Sequence, residues 1–290
     1  MNISKWLSEN TESLVGKRIA ISGATGGIGE RLSEHLASLG ADLVFLDRSI
    51  ARSRALGERL VQKHEGLKVE YITIDLTDIK SVKNAAAELQ KKPLFGLILN
   101  AGAYRIPRMK CDTGYDNVFQ INFLAPYFLA RELREHIIKS GGRVVAVGSI
   151  AHNYSKTDAD DIDFSTRKKP SLVYGNAKRY LMFSLYGLYR GTGALSVTHP
   201  GITFTNITAH YPKLIFALIK HPMKVIFMKP RKAALSILRG LFDATEEQEW
   251  IGPRIFDVWG FPKKKRLKTC SDSEAEQICQ VADEIYNKIK

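Results

Sequence analysis

RIAISGATGGIGERL, residues 18–32, is the stretch whose reading decides the fold. RIAIS is an apolar run of strand length. It breaks at Gly23, Gly27 and Gly29, and GIGERLSEHLASLG then takes up helical periodicity. A strand that turns into a helix through glycines lets backbone N–H groups approach a ligand, and the helix N-terminus favours negative charge there. The spacing is G-x-x-x-G-x-G, not the familiar G-x-G-x-x-G, and a glycine-rich turn alone is equally a tight strand–helix connection. Its position at the first strand–helix crossing gives it weight. Gly23, Thr25, Gly26, Gly27, Ile28 and Gly29 are the candidate cradle for a pyrophosphate.

Working outward, the apolar runs at 43–46, 69–74, 94–99, 143–148 and 194–199 alternate with helical stretches. These runs are apolar throughout rather than alternating, as expected of strands buried on both faces. The expected fold is α/β: a three-layer, Rossmann-like, doubly wound parallel sheet with helices on both faces. No repeat and no Pro-, Gly- or Ser-rich linker interrupts the 290 residues, so a single domain over 1–290 is expected.

Asp47 closes the second run, in LVFLDRS, about 20 residues beyond the glycines, where an acid accepts hydrogen bonds from ribose hydroxyls. Arg48 beside it would welcome a 2′-phosphate. Asn100, Ala101 and Gly102 end the fourth run and Ser149 follows the fifth, and strand ends are where ligands bind in such sheets. Tyr174 and Lys178 stand at i and i+4, on one helical face. A neighbouring ammonium lowers a phenol's pKa from about 10, which a general acid–base tyrosine needs. Such pairs are common, and a tyrosine-rich helix is usually core. Asn122, in FQINFLAPYF, gains weight only from this company.

Together these residues resemble the short-chain dehydrogenase/reductase family over residues 15–262. SGATGGIG is similar to its glycine motif, with Ser22 where Thr is usual, and LNAG is similar to its NNAG. Asn122, Ser149, Tyr174 and Lys178 match its catalytic tetrad in order. HPGITFT resembles its PG-x-x-x-T segment along the nicotinamide, placing Pro200, Gly201, Thr203 and Thr205 there. Asp75 and Leu76 in IDLTD match positions beside the adenine. The spacing of 25 positions from Ser149 to Tyr174, together with IFDVWGFPKKKRL, looks like the retinol-dehydrogenase-like branch, whose members act on apolar alcohols and ketones.

The resemblance implies hydride transfer between nicotinamide and a secondary alcohol or carbonyl. Tyr174 would exchange the proton, and Ser149 would bind the substrate oxygen. Lys178 would lower the Tyr174 pKa and hold the ribose, while Asn122 would position a water. NAD is the expected coenzyme: Asp47 repels a 2′-phosphate, and Gly26 stands where NADP-preferring members often carry a base. Arg48 keeps NADP as the alternative. A catalytically silent nucleotide-binding regulator is the competing function, and a membrane-surface binding protein is a third.

The segment 204–232 reads as an apolar lid, or as an interfacial stretch with Lys213, Lys220, Lys224 and Lys229 facing lipid. From 262, PKKKRLK reads as a solvated basic extension. No aromatic or recognition-helix pattern accompanies it, so nucleic acid is not expected as a partner. The net charge of +13 favours anionic partners without choosing among them. The first residues lack a secretory apolar region, and no apolar run reaches the roughly 18 residues a spanning helix needs. Three cysteines without CxxC fit a reducing compartment, so the expectation is cytoplasmic, with peripheral membrane contact as an extension. Seven histidines show no ligand spacing, so no metal is expected; five (His35, His64, His136, His152 and His221) read as incidental and His199 as structural. Self-association through helices at 115–139 and 173–190 is what the resemblance implies, and 271–290 reads as a helix capped by Ser271 or Ser273.

Overall fold

The computed structural model describes residues 2–203 and 228–290. The element order is α1 (Ile3–Asn10), β1 (Arg18–Ser22), α2 (Gly27–Ser38), β2 (Asp42–Asp47), α3 (Ile50–Val61), β3 (Val69–Thr73), α4 (Ile79–Leu89) and β4 (Gly96–Leu99). A helical run follows: α5 (Asn117–Phe119), a π-helical turn (Gln120–Leu124), α6 (Ala125–Glu132) and α7 (Arg134–Lys139). Then come β5 (Arg143–Val147), a 3-10 turn (Ile150–Tyr154), α8 (Pro170–Leu188), β6 (Leu195–Thr198), α9 (Pro230–Arg239), β7 (Glu249–Ile255), β8 (Trp259–Arg266) and α10 (Asp272–Ile289).

One eight-stranded sheet runs in the order β3-β2-β1-β4-β5-β6-β7-β8. All neighbours pair parallel except β7 and β8, which form an antiparallel pair. Two apolar layers cover its faces. One gathers Leu89, Phe123, Phe128, Leu181 and Ile278; the other gathers Trp6, Leu32, Leu56, Leu235 and Leu238. The strand order reverses between β1 and β4, and a crevice opens there beyond the carboxyl ends of the strands.

The doubly wound expectation holds, and six expected strands appear within one or two residues of their runs. The last two strands were not anticipated. The stretch from 262, expected as a solvated basic extension, lies largely inside β8. Its lysines and Pro262 suit the sheet edge, where a missing N–H is tolerated and charge discourages further pairing. Phe261 of β8 stacks on Trp6 of α1 at 6.3 Å, so the first helix is docked on the last strand. Ser271 caps α10 by accepting from Glu274 N at 3.2 Å. This helix lies across α6 and α8, the elements expected to mediate self-association: Tyr127 Oη donates to Asp283 at 2.8 Å, and Phe128 packs on Tyr286. The lid reading of 204–232, Thr205 included, falls mostly outside the described residues. Its ends meet in a bridge between Thr203 and Met228.

Candidate functional site

A cavity of about 440 Å³ occupies the crevice, lined by the β1–α2 turn, the ends of β2, β3 and β4, and Ile121. It brings together Gly23, Thr25, Gly26, Gly27, Ile28, Gly29, Asp47, Arg48, Asp75, Leu76, Asn100, Ala101 and Gly102, every cofactor position expected from the first four strands. Gly23 has φ +69°, and a Cβ there would lie 3.0 Å from Ala101 Cα. A Cβ on Gly29 would fall 2.2 Å from the Gly23 carbonyl oxygen. No side chain caps α2 at Gly26, so the first-turn N–H groups are left for a ligand. Asn100 locks this turn: its Nδ2 donates to the Ser22 and Gly23 carbonyls, both at 3.0 Å. Ser22 Oγ accepts from the N–H groups of Asn100 and Ala101, both at 3.1 Å. The cradle therefore fits an anionic diphosphate held by backbone, with room beside it for a nucleoside.

Asp47 is buried, and burial pushes its pKa up against the pull of its hydrogen bonds. Its oxygens accept from Ser53 Oγ at 3.0 Å and Thr25 Oγ1 at 3.3 Å. Arg52 donates to Thr25 Oγ1 at 3.4 Å and lines the same cavity as Arg48. Sequence reasoning missed Arg52 and Ser53, because nothing in their spacing from Asp47 marks the first turn of α3 as a cavity wall. Asp75 Oδ1 accepts from Thr77 N at 2.9 Å and Thr77 Oγ1 at 2.7 Å, an Asx turn that shapes the wall.

Beyond the cradle stand the four candidate catalytic residues. Ser149 follows β5 and lies beside the Tyr174 hydroxyl, near enough to act on its pKa. Burial pushes the Tyr174 pKa up to about 12, the Ser149 hydroxyl pulls it down, and Tyr104 adds to the rise. The Tyr104 ring meets Tyr174 edge-on at 5.4 Å, a partner the sequence did not reveal. Lys178 is 2% exposed, and burial alone pulls its pKa down to about 8. Its Nζ donates to the Val147 carbonyl at 2.8 Å and lies 5.8 Å from the Tyr174 ring centroid. Asn122 sits in the π-helical turn, a distortion frequent at functional sites. Its side chain clamps residue 103, with Oδ1 accepting from Ala103 N at 3.1 Å and Nδ2 donating to Ala103 O at 2.8 Å. A Cβ on Gly102 would come within 2.8 Å of that Oδ1 and 3.7 Å of Lys178 Nζ, so glycine keeps the two sub-sites in contact. Pro200, Gly201 and Thr203 follow β6.

An apolar cluster adjoins Tyr174: Val118, Phe164 and Val173 pack with Ile106, Leu172 and Tyr174. Three histidines read as incidental have partners. His35 Nε2 meets the Arg231 carbonyl at 3.0 Å, and His136 Nε2 meets the Lys92 carbonyl at 2.9 Å. His152 is fully buried beside Ser149. His199 stacks on Trp250 at 4.8 Å, as a structural residue should.

Fold and site together define an α/β protein whose strand-end crevice fits a dinucleotide, with a tyrosine and a lysine buried beside it. The family model described as short chain dehydrogenase matches residues 17–158. Human polyprenol dehydrogenase is 28% identical over 67% of this chain and 63% of its own length. Human retinol dehydrogenase 14 is 28% identical over 95% and 88%, respectively. A crystal structure from Mycobacterium paratuberculosis superposes with a TM-score of 0.73 at 21% identity, covering 97% of this chain and 96% of that one. A short-chain dehydrogenase from Sphingobium yanoikuyae, solved with NADPH, gives 0.59 at 24% identity over 78% and 86%. The chain belongs to the short-chain dehydrogenase/reductase family, and its curated relatives place it near the retinol dehydrogenases. It spans less than two thirds of polyprenol dehydrogenase and 50% of the human WW domain-containing oxidoreductase.

Proposed function

We propose that this chain is an NAD(P)-dependent oxidoreductase interconverting an apolar secondary alcohol and its carbonyl. The observation that carries the reading is the Tyr174 hydroxyl set beside Ser149, with the Lys178 ammonium buried 5.8 Å from the Tyr174 ring, beside a glycine cradle. When bound, the nicotinamide supplies or accepts the hydride. The rest is the work of this chain. With its pKa near 12, Tyr174 is a neutral phenol at neutral pH and is set to protonate a carbonyl oxygen. Ser149 holds that oxygen. In the reverse direction the phenolate needs a cation, and Lys178, with its pKa near 8, still carries its proton at neutral pH. Asn122 fixes the loop that brings Gly102 against Lys178. The apolar cluster around Phe164 supports an apolar substrate.

Asp47 supports NAD. A second reading, NADP, is favoured by Arg48 and Arg52 lining one cavity wall while both Asp47 oxygens are taken by Ser53 and Thr25. Peripheral contact with an anionic membrane is part of the proposal through the charge of +13; among the described residues no helix is long and apolar enough to cross a membrane. Parallel fluorescence titrations with NADH and NADPH decide the coenzyme. Tyr174→Phe should bind the preferred coenzyme normally and lose turnover on an apolar alcohol and ketone panel. Wild-type protein that binds coenzyme yet turns over nothing on that panel would favour the silent regulator instead.

A further inference from the structure

His152 is a buried group that the mechanism leaves unused. Its ring lies between the backbone that carries Ser149 and the segment leading into α10. Nδ1 is 2.6 Å from the Ser149 carbonyl and Nε2 is 2.9 Å from Thr269 Oγ1. A carbonyl only accepts, so Nδ1 carries the proton and Nε2 accepts from the Thr269 hydroxyl. Trp250 meets the ring edge-on at 5.5 Å and holds it in place.

A second set of bonds secures the same corner. Arg179 directly follows Lys178 and is 2% exposed. It donates to the His152 carbonyl at 3.1 Å, to the Thr269 carbonyl, and to both Glu274 oxygens at 2.7 and 2.6 Å. Glu274 Oε1 also accepts from Thr157 Oγ1 at 3.3 Å. Residues 269–274, at least 120 positions beyond Ser149, thus tie the serine loop to the helix that carries Tyr174 and Lys178.

We propose that His152 is a positioning residue: through it, Thr269 and the Arg179–Glu274 pair hold Ser149 in register with the Tyr174 hydroxyl. This rests on the oxidoreductase reading above. The ring stays neutral, because burial brings its pKa down to about 4 and Arg179 adds to the drop, against the Ser149 carbonyl and Asp257. The arrangement therefore holds through the working pH range.

Three variants test it. His152→Phe keeps the ring and removes both hydrogen bonds. His152→Asn restores a donor near the Nδ1 position. Thr269→Val removes the hydroxyl with little change in shape. Misplacing an oriented group by about 1 Å costs up to a hundredfold in rate. His152→Phe should therefore lose about ten- to a hundredfold in kcat with NADH or NADPH affinity unchanged, Thr269→Val should lose less, and His152→Asn should recover most of the loss. The discriminating readout is the ionisation of Tyr174, followed by ¹³Cζ-tyrosine NMR with its resonance assigned from Tyr174→Phe. The Ser149 hydroxyl lowers that pKa, so misplacing Ser149 must move the titration to higher pH in His152→Phe and back again in His152→Asn. An unmoved Tyr174 titration in folded His152→Phe and Thr269→Val overturns the proposal, and so does a loss of rate that merely follows the fraction folded. The NMR reading needs no turnover. If the wild type proves inactive while the Tyr174 titration still moves, the oxidoreductase reading fails and the positioning holds.

Discussion

Lys178→Met should stabilise the protein while abolishing turnover. Lys178 is 2% exposed, its Nζ has a carbonyl as partner, and no carboxylate is among its hydrogen bonds. Burial takes its pKa from 10.5 to about 8. At about 1.4 kcal/mol per tenfold change in protonation, holding that proton at pH 7 costs the folded state about 3 kcal/mol. Losing the hydrogen bond to Val147 returns about 1 kcal/mol, leaving a net gain of about 2 kcal/mol. The sign with pH follows from a folded pKa below the unfolded one. The cost is fully present below pH 8, shrinks as the folded group loses its proton, and vanishes above the unfolded value of 10.5. Urea unfolding of wild type and variant at pH 7 and pH 9.5, without coenzyme, gives the two differences. The advantage of Lys178→Met should fall by about 2 kcal/mol across that interval. A variant no more stable at pH 7, or an advantage independent of pH, would refute the claim that Lys178 is a desolvated ammonium.

Gly29→Ala places a Cβ 2.2 Å from a backbone oxygen, which cannot yield as a flexible side chain would. Fluorescence titration should show dinucleotide affinity falling about tenfold or more, a cost of about 1.4 kcal/mol; unchanged affinity would remove the cradle from the binding site. Glu274→Gln leaves the buried Arg179 without its counter-charge and should cost about 2–3 kcal/mol at neutral pH, measured by urea unfolding. Burial alone would raise the Glu274 pKa, but Arg179 outweighs it and holds the carboxyl below its ordinary 4.5. The contribution is therefore present above that value and lost as pH falls through the depressed pKa, so the gap to the variant should close in acid.

The first six strands were legible because strands buried on both faces are apolar throughout, and such runs survive without knowledge of their neighbours. The edge pair β7–β8 was not legible, because WGFPKKKR carries a proline and four bases that only an edge position tolerates. The backbone parts of the site were legible for a related reason: glycines and strand ends mark them, whatever the rest of the fold does. Arg52, Ser53 and Tyr104 were not, since each gains its role from where a different element lands. His152 was the sharpest miss. It was read as incidental because the threonine it binds lies 117 residues away in sequence.

That distance also says how the site is held together. The family match ends at residue 158, after the glycine cradle, Asn122 and Ser149 but before Tyr174 and Lys178. The two halves of the candidate catalytic set are held together by contacts that reach across that boundary. They include the approach of Ser149 to Tyr174, the Lys178 bond to the Val147 carbonyl, and the Arg179 guanidinium shared between His152 and Glu274. The first two belong to the site itself and tolerate little change. The third runs through the C-terminal helix, where substitutions leave the reacting groups in place and alter only their alignment. Changes there should adjust rate before they affect coenzyme binding.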